Sequence, residues 1–206
     1  MEAAQGSQVI LGTSSRFRRR VMDELTTEYS VRTADIDEKA IRHEDPSQLV
    51  MLLAHAKADA IVGKMRAAGE PLEGLLLTCD QVVTFRGEIR EKPEDEAECR
   101  RFIREYSESD QPVCTVSAVL ATHLASGQRV GGVDVAEIHF GEIPPEAEDR
   151  VIADGEVLWC AGGLQAEHPA IQPCITRQVG TQDSIMGLPK SLVVRLVGEA
   201  AARGHQ

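Results

Sequence analysis

Two periodicities alternate along this chain. Short apolar runs of strand type are followed by longer segments whose apolar positions recur every three or four residues. Residues 8–12 (QVILG) form the first such run, and Thr13-Ser14-Ser15 after it are helix N-cap residue types. Residues 16–27 then predict a helix carrying Val21, Met22 and Leu25 on one face. Residues 29–36 read as extended. Asp45-Pro46-Ser47 opens a second helix, predicted to run to about residue 68 with Leu49, Val50, Leu53, Ala56, Ala60 and Ile61 as its stripe and Gly69 as its stop.

Residues 75–85 (LLLTCDQVVTF) have a buried-strand pattern interrupted by Asp80-Gln81. Arg86-Gly87 predicts a turn, with residues 88–92 pairing back as a hairpin. Pro93 is the expected start of the next helix: Glu94, Asp95 and Glu96 fill its first turn, and Arg100, Arg101 and Arg104 follow, as the helix dipole prefers. Residues 113–122 and 130–140 predict strands, and Pro144-Pro145 a short helix to about residue 153. Residues 159–177 read as loop with short extended pieces. Leu188-Pro189 opens a last helix carrying Leu192, Val193, Leu196 and Val197. Strands mixed with helices throughout predict an α/β fold in which helices cover a sheet. No linker is visible, so one domain over residues 1–206 is expected, with 1–7 as a flexible N-terminus.

Composition narrows the classes. At 206 residues, 42% hydrophobic and 27% charged, the chain suits a globular protein and excludes disorder, collagen or coiled coil as its main state. With 22 basic and 33 acidic residues the net charge is −11, which disfavours a nucleic-acid polymer or a membrane surface as partner. Aromatic content of 3% makes a base-stacking platform for long single strands improbable. The five cysteines have no CxxC spacing, and most of them read as small core residues of a reducing compartment. The N-terminus MEAAQGSQ has no signal-peptide pattern, and no apolar run approaches the ~20 residues of a spanning helix. A cytoplasmic protein is expected.

Three features stand out chemically. Residues 16–20 (RFRRR) place four arginines where a helix begins, although the dipole is positive there. Strand, hydroxyl turn and helix N-terminus together can hold a phosphate; the alternative is a solvated basic patch paired with surplus carboxylates. Asp80 lies inside an apolar run, where a carboxylate must be paired, ligated or neutralised. It is either a water-activating base or a strand-end cap. Lys57, near an apolar stripe, and Lys92, closing the hairpin, either reach a phosphate as point charges or are solvated. Neither a Walker loop nor GxSxG occurs, and the six histidines show no metal spacing.

The segment LGTSSRFRRRVM resembles the N-terminal motif of the Maf septum-formation family. TCDQVVTFRGEIREKPEDEAECRRFI resembles that family's central block, and WCAGGLQAE and MGLPKSLV its later glycine-rich loop and closing helix. The resemblance covers nearly the whole chain, and the central block is its most specific part.

The resemblance implies a mixed twisted sheet flanked by helices, with two lobes around a deep cleft, related to the house-cleaning inosine triphosphatases. It implies hydrolysis of the α–β phosphoanhydride of a nucleoside triphosphate, dependence on Mg²⁺ or Mn²⁺, and a homodimer. By the same resemblance Asp80 is the general base, and Glu38, in an acidic pair with Asp37, would join it at the metal. Ser14 and Ser15 form the phosphate turn. Arg18, with Arg19 beside it, meets the triphosphate, and Lys57 and Lys92 are the cleft lysines.

Phe17, Gln81 and Glu167 fall at positions flanking the base, and the set resembles the branch acting on 7-methyl-GTP. UTP, dTTP or CTP as substrate, or a nucleotide-binding regulator of cell division without turnover, are the competing readings. Gly12-Thr13, Arg16 and the stretch HPAIQPC after Glu167 depart from the family pattern.

Overall fold

Val9, Ile10 and Leu11 are each at most 3% exposed, as a strand buried on both faces requires. They belong to β1 (Val9–Gly12), which lies between β2 (Tyr29–Arg32) and β3 (Leu75–Phe85) and runs parallel to both. The remaining strands are β4 (Glu88–Arg90), β5 (Val113–His123), β6 (Arg129–Phe140) and β7 (Ile175–Val179). The computed structural model describes residues 8–203, so the expected flexible segment 1–7 lies outside the described residues. The seven strands form one sheet in the order β2-β1-β3-β5-β6-β7, with β4 pairing antiparallel to β3 as a hairpin and β7 antiparallel to β6. This is the mixed sheet that the sequence predicts.

The helices are α1 (Arg16–Leu25), α2 (Pro46–Ala67), α3 (Glu96–Ser107), α4 (Pro145–Ala153), α5 (Gln182–Ile185) and α6 (Lys190–Arg203). Local chemistry fixes several of their ends. Ser15 caps α1 and Asp45 caps α2, the latter with Pro46 in the first turn. The expected start at Pro93 is corrected. Pro93 is buried outside the helix, and Asp95 is the N-cap, accepting from the Glu98 N–H at 2.8 Å. The Glu98 carboxylate in turn accepts from the Glu94 N–H at 2.9 Å; Glu96 lies in the first turn as expected, together with Glu98, whereas Glu94 and Asp95 precede the helix. Helix α1 stops at Leu25 because Thr26 is extended. Glu156–Trp159, Ala161–Gly163 and Gln172–Cys174 form short 3-10 turns before β7.

Two compact units divide the chain. The first holds the residues up to Asp80, Ser117–Asp134 and the chain from Met186 onward; the second holds Gln81–Val116 and Val135–Ile185. Leu11, Met22, Leu77, Val119 and Leu196 belong to the first unit's core, and Phe85, Phe102, Tyr106, Ile138 and Val151 to the second's. Cys79 and Cys99 are core residues as expected, whereas Cys114, Cys160 and Cys174 are only half-buried. Among the described residues no helix is long and apolar enough to cross a membrane.

Candidate active site

In the first unit β1 ends at Gly12, where a Cβ would lie 2.7 Å from side-chain carbons of Ile61 and Thr78. A glycine there lets α2 and β3 approach the end of β1. The following turn is held by its own hydroxyls: Thr13 Oγ1 accepts from the Ser15 N–H at 3.0 Å, and Ser15 Oγ from the Arg18 N–H at 3.3 Å.

Arg18 extends from the first turn of α1 to other parts of this unit. Its Nε donates to the Gly187 carbonyl at 3.0 Å and its Nη1 to the Cys79 carbonyl at 2.9 Å. It therefore ties the start of α1 to the residue before Asp80. The Cys79 thiol is in the core, and burial pushes it up to about 11.

Lys57 comes from the buried face of α2. Its ammonium lies 2.5 Å from Asp80 Oδ1 and 2.7 Å from Glu38 Oε1. Asp80 is 6% exposed, so its carboxylate is paired rather than orphaned. The register between lysine and aspartate is set one helical turn away, where Thr78 Oγ1 donates to the Ala54 carbonyl at 2.8 Å. Ser14, Arg18, Glu38 and Lys57 line a polar cavity of about 220 Å³, with Asp80 held through Lys57.

The sequence reading missed part of this wall. Thr33 and Asp35 also line the cavity, whereas Asp37 is an exposed residue at the start of a 3-10 turn without a side-chain capping bond. Asp35 has a φ of +53°, and the hydrogen bond and charge of Lys64, 2.6 Å away, hold its carboxyl below the usual range. The string ADIDE offers several carboxylates at close spacing, and only the backbone turn selects among them.

The other expected residues are placed as follows. Arg19 is exposed and Phe17 half-buried; neither lines that cavity. The Arg16 guanidinium stands 5.7 Å from the centre of the Phe17 ring, so that ring already presents a face to a cation. Gln81, Lys92 and Glu167 belong to the second unit. The Gln81 amide donates to the carbonyls of Ile185 at 2.9 Å and Ser184 at 3.3 Å. Lys92 is exposed just beyond β4, and Glu167 is half-buried in the turns before β7.

Glu38 and Asp80 are hard oxygen donors that converge on one cation, here an ammonium. Among the described residues no group of three or more His, Cys, Asp or Glu is gathered as a metal cage. A Mg²⁺-type ion uses one or two carboxylates with water and ligand phosphate oxygens, so this donor pair fits an ion bound together with a phosphate-bearing ligand.

A hydroxyl turn at a helix N-terminus, an inward arginine and a lysine between two carboxylates define an α/β protein equipped for a polyanion and for moving a proton. The family model for Maf-like proteins matches residues 8–200, and the chain belongs to that family. It is 36% identical to the 7-methyl-GTP pyrophosphatase of Dictyostelium discoideum, over 94% of this chain and 97% of that protein. It is 30% identical to the 7-methyl-GTP pyrophosphatase of Idiomarina loihiensis, over 88% of each chain. A nucleoside triphosphate pyrophosphatase of Synechococcus sp. (strain WH7803) is 28% identical over 90% of this chain and 95% of its own.

Proposed function

We propose that this Maf-like chain is a nucleoside triphosphate pyrophosphatase with 7-methyl-GTP as its preferred substrate. Such an enzyme is a hydrolase of phosphoric anhydrides, and the chain's relatives are named pyrophosphatases. The observation that carries the chemistry is the buried Asp80–Lys57 pair, joined by the exposed Glu38, against a polar cavity.

In the reaction a water oxygen bonds to phosphorus, the bridging P–O bond breaks, and pyrophosphate leaves the nucleoside monophosphate. Asp80 takes the proton of the attacking water, and Lys57 holds that carboxylate in place. Ser14, Ser15 and the N–H groups of the α1 entry receive phosphate oxygens, with Arg18, Arg19, Lys57 and Lys92 as the opposing charges. A Mg²⁺ or Mn²⁺ ion would be held by Glu38 and Asp80, and when bound it neutralises charge on the triphosphate. Phe17 offers its face to the cationic 7-methylguanine ring, worth about 0.5–2 kcal/mol. Glu167 accepts the N1–H and N2–H donors of that base, and Gln81 flanks it. The proposal extends to a cytoplasmic homodimer that acts on free nucleotides.

Pyrophosphate release from a panel of 7-methyl-GTP, GTP, UTP, dTTP and CTP tests this reading. The highest kcat/KM is expected for 7-methyl-GTP. A higher value for UTP or dTTP would reassign the substrate, and binding without release of pyrophosphate would make the chain a nucleotide-binding regulator.

A further inference from the structure

Glu167 sits on an irregular segment outside the strands and helices, between the core residues Ala166 and Ile171, and the residue beside it is anchored through both side chain and backbone. His168 is 7% exposed. Its Nε2 donates to Asp154 Oδ2 at 2.8 Å, and its Nδ1 accepts from the Ala170 N–H at 3.1 Å. With Nδ1 an acceptor, the proton of the neutral ring lies on Nε2, facing the aspartate. The backbone is equally engaged. The His168 N–H donates to the Gln165 carbonyl at 3.1 Å, and its own carbonyl accepts from the N–H groups of Ile171 and Gln172, both at 2.9 Å.

The anchor at the far end is firm. Asp154 is the C-cap residue of α4, and Glu148 in that helix accepts hydrogen bonds from Arg100 and Arg104 of α3. A second tie runs beside the first, from Gln165 Nε2 to Glu156 Oε2 at 3.3 Å. The turn that carries Glu167 is thus fastened on both sides of that residue to the stretch 154–156.

We propose that His168 is a positioning residue that sets base specificity by fixing Glu167. This rests on the reading that Glu167 meets the base. A carboxylate accepting two parallel N–H bonds from a guanine edge tolerates only about 0.5 Å of misplacement, and a loop needs buried supports to reach that precision. The imidazole is that support: it satisfies a backbone N–H of the turn with one nitrogen and holds a helix end with the other.

The test is kcat/KM for 7-methyl-GTP and for UTP in wild type, Glu167→Gln, His168→Ala, Asp154→Ala, Asp154→Asn and the double variant Glu167→Gln/His168→Ala. His168→Ala should lower the 7-methyl-GTP to UTP ratio by up to about tenfold, the scale of one lost hydrogen bond, through KM for 7-methyl-GTP with kcat for UTP unchanged. Asp154→Ala should lower the ratio in the same direction. Asp154→Asn, whose amide oxygen still accepts from Nε2, should restore it. The double variant should match Glu167→Gln alone, because the histidine acts through that carboxylate.

Equal losses on both substrates, or additive effects in the double variant, would overturn the inference. The Asp154 side chain is 66% exposed, so its variants decide the matter even where His168→Ala does not fold. If Glu167→Gln leaves the ratio untouched, the assignment of Glu167 to the base fails and this inference falls with it. If Glu167→Gln collapses the ratio while His168→Ala and both Asp154 variants do not, only the positioning role fails.

Discussion

Lys57 between Asp80 and Glu38 shows how a single side chain changes the meaning of its neighbours. In Asp80→Asn the near-isosteric amide leaves the Lys57–Glu38 pair, at 2.7 Å, in place. Folding should therefore persist while turnover falls by roughly 10²-fold or more, as expected on losing a general base. A thermal melt beside a pyrophosphate-release assay checks both halves.

Arg18 has two opposing effects on the ligand-free protein. A cation in the first turn of a helix costs a few tenths of a kcal/mol up to about 1. Its bonds to the carbonyls of Cys79 and Gly187 outweigh that, since hydrogen bonds involving a charged group are worth about 1.5–3 kcal/mol each. Arg18→Ala should therefore lower stability even without nucleotide, by about 2–5 kcal/mol, and should also slow turnover. Denaturant unfolding of the free protein is the direct check. From the sequence alone a neutral or slightly stabilising change is expected, because the carbonyls that Arg18 reaches are 61 and 169 positions away in the chain.

At the scale of elements, the joint between α3 and α4 is electrostatic. The Glu148 side chain is 6% exposed and accepts from Arg100 and from Arg104 at two atoms. Burial alone would raise its pKa, but hydrogen bonds from Arg104 and Arg100 outweigh burial and hold the carboxyl below its ordinary 4.5. A folded-state value below the unfolded one means that the unfolded chain binds the proton more readily. The resulting stability is present above about pH 4.5 and is lost as pH falls through the folded value. Glu105, opposed by burial but held down by Arg90 and Arg101, acts in the same direction. Melting temperature should drop as the pH is lowered from roughly 6 to 3, and Glu148→Gln should flatten that limb. An acid limb as steep in the variant as in wild type would remove Glu148 from the account.

For the molecule as a whole, the first unit supplies only two carboxylates at the cavity cation and no metal cage among the described residues. A divalent ion should therefore bind weakly alone and tightly with a triphosphate. Mg²⁺ without nucleotide should barely move the melting temperature. Mg²⁺ with a non-hydrolysable 7-methyl-GTP analogue at about 100 times its Kd should stabilise the fold by roughly 2.7 kcal/mol. The corresponding UTP analogue should stabilise less at equal concentration. Strong stabilisation by Mg²⁺ alone would mean a metal site beyond Glu38 and Asp80.

What the chain order made legible is local. Residues 75–85 announced β3 because an apolar run has few other uses, and Asp45-Pro46 announced the entry to α2 because capping chemistry acts within three residues. Asp80 was conspicuous for the same kind of reason, a charge inside an apolar segment. Local signals also misled where two were in competition. Pro93 and Asp95 both mark helix starts, and the capping carboxylate prevailed. Folding alone brought Lys57 to Asp80 across 23 positions and His168 to Asp154 across 14. A lone lysine or histidine has no periodicity to betray it, because its meaning lies in partners from distant parts of the chain. The nearest carboxylate or carbonyl in space is set by how helices pack on a sheet, and no spacing along the chain records that.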